Sequence, residues 1–242
     1  MEKNIRLFNS SYRRGALLLH GLASSSFEMS SLANFLFKNK WNVNAPLILD
    51  LYNHEKTNFL NLRWQEALKN ATEELSFFKE MPVFIIGTSF GGIIAVLLAI
   101  DNPSIKGIVV ANPPFDFKNI FLKLVLKLQL PIKGFKTKPP KEHRDEYFPY
   151  FPFKGLKEIQ KASKEAAKNF QKIYQPILVF YSIKDRSISF KGIEKFLNNI
   201  NSEIKIIEKL SDAPHSVFSP YYKNNFLIFE KVLSFLNKSI NL

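Results

Sequence analysis

Serine, histidine and aspartate acting together can transfer an acyl group, and this chain spaces them so that they could. Gly87-Thr88-Ser89-Phe90-Gly91 has the form G-x-S-x-G. The apolar run 83–86 precedes it and the apolar run 92–100 follows. A short apolar run suits a buried parallel strand, and the longer one suits a buried helix. Strand, sharp turn and helix are the context in which this pentapeptide exposes a nucleophilic serine. The turn strains the backbone at the serine, and flanking glycines remove Cβ atoms that would collide there. Alone, the pentapeptide also fits an ordinary tight strand-to-helix loop, so its partners decide.

A nucleophilic serine needs a base within hydrogen-bond reach and an acid to orient that base. The chain has four histidines. His20 ends a predicted strand, His54 lies in a polar loop, and His143 sits in the charged Lys141-Glu142-His143-Arg144. His215 closes Ser211-Asp212-Ala213-Pro214-His215, after the last predicted strand. Open α/β sheets place their sites at the carboxyl ends of strands, so His215 is the expected base. Asp185, at the carboxyl end of the preceding strand, is the first choice of acid. Asp116, after the strand at 105–111, could reach from the other side. Asp212 lies three residues from His215, and its side chain is expected to turn into its own loop. Two N–H donors must face the developing oxyanion. Phe90 N–H is fixed by the turn. The second is expected from Leu22, with Gly21 letting the loop after the first strand bend.

Strands are expected at 16–19, 41–45, 83–86, 105–111, 176–181 and 203–210. Helices are expected at 27–38, 60–79, 93–100, 190–200 and 222–236. This alternation implies an α/β fold, a mostly parallel sheet with helices on both faces and right-handed crossovers. The pattern breaks over about 115–174. There, Phe117, Ile120, Phe121, Leu124 and Leu128 share one side of a helix predicted over 117–128. A proline-punctuated aromatic run at 147–153 follows, then a helix to about 173. The expectation is one α/β domain over 1–242 with this segment inserted as a cap that walls an apolar pocket. Gly21, Phe121, Leu124 and Leu128 are the candidate substrate contacts. Leu122, Leu126 and Leu130 beside Lys123 and Lys127 suit a helix at a lipid surface, and equally a helix packed on both faces.

The length of 242 residues suits one such domain. The absence of cysteine rules out disulfides, thiolate metal sites and a cysteine nucleophile. A net charge of +13 favours anionic partners, or reflects a solubilising lysine surface, since no basic block exceeds a few residues. Nucleic acid is the weakest partner, because no recognisable binding module accompanies the charge. The run 16–19 after Arg13-Arg14 is too short for a signal peptide, and lysines interrupt 121–130 too often for a spanning helix. A cytoplasmic protein is expected, and no metal or cofactor is implied.

L-L-L-H-G-L at 17–22, Ala45-Pro46, G-T-S-F-G at 87–91 and the loops of Asp185 and His215 resemble α/β-hydrolases. Within that superfamily the chain is similar to small bacterial carboxylesterases and monoacylglycerol lipases. The resemblance covers nearly the whole chain outside the cap. It implies a sheet starting near the third strand of the full fold, a cap between strands six and seven, and ester hydrolysis without a metal. Where such families carry G-H-G after Ala-Pro, this chain reads D-L-Y-N-H at 50–54. Its histidine loop is also longer and contains Pro214. The expected function is a serine hydrolase of carboxylic esters with apolar acyl groups. Its partners would be a small-molecule ester, lipid esters included, and an anionic membrane met peripherally. A thioesterase would use the same triad. A peptidase or lactonase has less support, since the cap shows no obvious acidic cluster for a substrate amine. A non-catalytic lipid-binding protein on this scaffold would be expected to have lost a triad member.

Overall fold

The computed structural model describes residues 4–57, 59–119, 124, 134–136 and 148–240. Its strands are β1 (Asn4–Leu7), β2 (Gly15–Leu19), β3 (Asn42–Pro46), β4 (Val83–Thr88), β5 (Gly107–Ala111), β6 (Gly134–Lys136), β7 (Tyr150–Pro152), β8 (Ile177–Ser182) and β9 (Lys205–Leu210). Its helices are α1 (Ser30–Lys38), α2 (Leu51–Glu55), α3 (Trp64–Glu73), α4 (Phe90–Asp101), α5 (Phe153–Ala167), α6 (Phe190–Asn199) and α7 (Asn225–Ser239). Seven strands form one sheet in the order β1-β3-β2-β4-β5-β8-β9. All of its pairings are parallel except that of β1 with β3.

Alternation along the central strands splits the core into two layers. Leu17, Leu19 and Ile85 pack with apolar residues of α4, α5 and α6 on one face. Ala16, Leu18, Phe84 and Ile86 pack with α1 and α7 on the other. Helix α4 is buried from Phe90 to Ile100. That explains why its sequence is apolar all round instead of amphipathic. This rigid strand–helix unit is what carries Ser89.

The expected α/β class holds, with differences in detail. β1 was not foreseen. It is an antiparallel edge strand in which only Ile5 and Leu7 are apolar. The polar loop expected around His54 is helix α2, because the Asp50 side chain accepts from the N–H groups of Tyr52 and Asn53 and caps it. The helix expected over 60–79 starts only at Trp64 and tightens to a 3-10 turn over Glu74–Phe78. The helix expected over 117–128 does not begin at Phe117, which instead forms an antiparallel bridge with Ile188. Most of that predicted helix, with Phe121, Leu122, Leu126 and Leu128, lies outside the described residues. Between β5 and β8 the described chain contains the hairpin β6–β7 and helix α5. Among the described residues no helix is long and apolar enough to cross a membrane.

Candidate active site

β4 delivers Ser89 at its carboxyl end, and α4 starts on the next residue. Ser89 holds φ +51° and ψ −121°, a region that L residues occupy at a cost of about 1–3 kcal/mol. The surroundings fix it there. Its N–H donates to Ala111 C=O at 2.8 Å, and its C=O accepts from Gly92 N–H at 2.9 Å. A Cβ on Gly87 would lie 2.3 Å from Gly91 O, and one on Gly91 2.3 Å from Leu19 O. Both glycines are therefore required by contact with backbone.

His215 Nδ1 donates to Asp185 Oδ2 at 2.5 Å. The Asp185 side chain is 1% exposed, and its other oxygen accepts from Ser187 N–H at 2.7 Å. Burial pushes its carboxyl pKa up. The hydrogen bond and charge of His215, with the N–H groups of Ser187 and Ile188, outweigh this and hold it below the ordinary value. Of the three acids considered, Asp185 is the one joined to His215. Asp212 is exposed and pairs with Lys184. Asp116 sits where its C=O accepts from Ser189 N–H at 2.9 Å.

The loop after β2 is held from three sides. Gly21 N–H donates to the buried Glu28 Oε2 at 2.9 Å. Gly21 C=O is bonded to His20 Nδ1 at 2.7 Å. Ile48 N–H donates to His20 Nε2 at 3.2 Å. One donor and one acceptor nitrogen describe a neutral imidazole. Burial accordingly lowers the His20 pKa, against the Gly21 carbonyl and the Glu28 charge. His20 is thus a fully buried strut that fixes the loop. Gly21 abuts the serine, since a Cβ on it would lie 3.6 Å from Ser89 Cβ. Leu22 follows directly. Phe90 is the first residue of α4, where helix N–H groups have no intrahelical partner.

Ser89 and His215 share the wall of a pocket of about 340 Å³. Phe117, Phe151, Leu156 and Ile159 give it an apolar lining, and the exposed Lys136 borders it. Leu156 and Ile159 lie three residues apart on α5, a helical spacing visible in the sequence, and Phe151 belongs to the aromatic run. None of these was singled out beforehand as a contact. Of those that were, Leu124 is 48% exposed and does not line this pocket, while Phe121 and Leu128 lie outside the described residues. Sequence reasoning also passed over two buried polar residues at strand ends, Asn112 and Ser182.

A strained serine between strand and helix, a buried aspartate on a histidine and a pocket touching both invite comparison with known hydrolases. The family model described as serine aminopeptidase, S33, matches residues 11–219. The chain belongs to this α/β-hydrolase family. The hydrolase is 24% identical over 234 residues to the thermostable monoacylglycerol lipase of Bacillus sp. (strain H-257), which covers 93% of this chain and 90% of that protein. Its fold is similar to that of a metagenome-derived lipolytic enzyme, with a TM-score of 0.83 at 20% identity over 98% of this chain and 97% of the other. It is also similar to the Paleococcus ferrophilus monoacylglycerol lipase, with a TM-score of 0.72 at 19% identity over 96% and 98%. The hydrolase therefore shares this fold over nearly its whole length.

Proposed function

We propose that this hydrolase cleaves carboxylic esters of apolar acyl groups, with Ser89 as nucleophile, His215 as base and Asp185 as the acid that orients it. In the first step His215 Nε2 takes the proton of Ser89 Oγ as that oxygen attacks the ester carbonyl. Asp185 keeps Nδ1 protonated and balances the imidazolium that forms. The N–H groups of Leu22 and Phe90 bind the oxyanion. The imidazolium then protonates the leaving alcohol, leaving an acyl group on Ser89. In the second step His215 takes a proton from water, the resulting hydroxide attacks the acyl-enzyme, and the proton returns to Ser89.

The observation that carries this proposal is the His215–Asp185 hydrogen bond at the rim of a pocket that also touches Ser89. The aromatic and aliphatic lining supports an apolar acyl group. A volume near the lower end of the usual range of about 300–1,000 Å³ supports a short to medium chain. Likeness to monoacylglycerol lipases supports a glycerol or comparable alcohol on the other side of the ester. The surplus of 13 positive charges supports attraction to anionic lipid surfaces. That attraction should appear as vesicle cosedimentation that salt reverses.

The test is a set of initial rates on p-nitrophenyl esters from acetate to palmitate, wild type beside Ser89→Ala. Turnover that peaks at short or medium chains and is lost in Ser89→Ala is expected. Equal turnover in the folded variant would overturn the assignment.

A further inference from the structure

Two buried polar side chains at neighbouring strand ends hold the segment that carries His215. Asn112 directly follows β5 and Ser182 ends β8, and both are fully buried. Asn112 Oδ1 accepts from Ser182 N–H at 2.8 Å. Its Nδ2 donates to Ser182 Oγ at 2.9 Å and to His215 C=O at 2.7 Å. Ser182 Oγ in turn donates to Pro214 C=O at 2.8 Å. Every side-chain polar atom of this pair is engaged, and two of the contacts grip the backbone on either side of the His215 Cα.

That grip matters because the strand leading to His215 offers little of its own. β9 is an edge strand, largely exposed along its length, and Pro214 has no N–H to donate. The central strands hold the loop instead. The same pair of strand ends also fixes the other two residues: Ala111 C=O accepts from Ser89 N–H at 2.8 Å, and Ser182 C=O accepts from Asp185 N–H at 3.0 Å. Asn112 holds φ +46°, a left-handed conformation that asparagine tolerates better than most residues. This places its amide over the end of β8.

We infer that Asn112 and Ser182 are positioning residues that set the register of His215 against both Ser89 and Asp185. The inference rests on the proposal that these three act together. Asn112→Asp keeps size and tolerance of positive φ but sets an oxygen against the His215 carbonyl. Ser182→Ala removes the hydroxyl that holds Pro214. In each, a backbone carbonyl of the His215 loop loses its donor and the base can drift, and a drift on the order of 1 Å can cost about 100-fold in rate.

The experiment reads two quantities in each folded variant. One is the downfield proton resonance of His215 Nδ1–H in its bond to Asp185. The other is kcat and KM for p-nitrophenyl butyrate per titrated active site. The expected result is a broadened or lost resonance and a kcat lowered about 10- to 100-fold, with KM within about twofold. A merely structural role would lower the Tm and leave the resonance and the kcat per active site as in wild type. That outcome in both variants overturns the inference, and Ser182→Ala decides alone if Asn112→Asp does not fold. Turnover that survives Ser89→Ala would instead defeat the proposed function, and the resonance would still decide whether these two residues place His215.

Discussion

Gly91→Ala tests whether the serine turn and the loop after β2 are built in contact. The added Cβ would lie 2.3 Å from Leu19 O, 2.5 Å from His20 O and 2.6 Å from Leu19 C. A carbon rarely approaches a carbonyl oxygen closer than about 3.3 Å, so the turn and β2 must separate by about 1 Å. The obstructing atoms are backbone of the fully buried Leu19, which ends a paired strand, and of the buried His20 just after it, and they cannot swing aside as a side-chain tip could. Overpacking of this kind costs about 1–3 kcal/mol. For a chain of this size each kcal/mol lowers Tm by about 2–4 °C, so a fall of about 2–12 °C is expected. The same separation moves Phe90 N–H away from Leu22, and about 1 Å of misplacement can cost about 100-fold in rate. Thermal unfolding by circular dichroism gives the first quantity. The second is kcat/KM on p-nitrophenyl butyrate, normalised to active sites titrated with a phosphonate. A Tm within about 1 °C of wild type, together with kcat/KM within about twofold, would refute the close contact.

The strain at Ser89 predicts that Ser89→Gly melts higher than Ser89→Ala, because only glycine relieves a cost of about 1–3 kcal/mol at φ +51°. Equal melting temperatures would contradict it. Asp185→Asn should keep the fold and lower kcat by about 10⁴, the loss seen when the orienting acid of a serine–histidine–aspartate triad is made neutral. A loss below about tenfold would remove Asp185 from that role. Glu158, buried on α5, accepts from Trp64 N–H at 3.2 Å and from Lys161 Nζ at 2.8 Å, with Lys154 Nζ at 3.4 Å. Burial pushes its pKa up, but the Lys161 bond, the Trp64 N–H and the two lysine charges outweigh this and lower it. Its contribution to stability is therefore full above the unfolded carboxylate value of about 4.3 and is lost as pH falls through the lower folded value. Glu158→Gln should be less stable than wild type to urea at neutral pH, and the gap should close as the pH approaches about 3. A gap that does not change with pH would contradict it.

The parts of this protein that its sequence makes legible are those whose cause is local. The turn at Ser89 could be read because two glycines, an apolar strand and an apolar helix lie within one continuous stretch. His215 could be reached by elimination because histidine is scarce and its loop follows the last strand. β1 could not be read in the same way, since Asn-Ile-Arg-Leu has only two apolar residues and gains its strand character by pairing with β3 about forty residues away. Phe117 has helical spacing with the leucines that follow, yet a bridge to Ile188, distant in sequence, sets its backbone. The hairpin β6–β7 likewise depends on long-range pairing, which an aromatic run with prolines does not advertise. Asp50 was a legible capping signal for α2 that went unused. Asn112 shows the limit most plainly: an asparagine after a strand reads as a stop, and its hydrogen bond to a carbonyl 103 residues later emerges only when the sheet assembles.

The most direct test of the central claim is to inactivate the protein with a fluorophosphonate and locate the adduct by peptide mass spectrometry. One adduct per chain, on Ser89, forming in step with the loss of ester turnover, is the expected result. Inactivation with the label on another residue, or full turnover by protein labelled on Ser89, would contradict it.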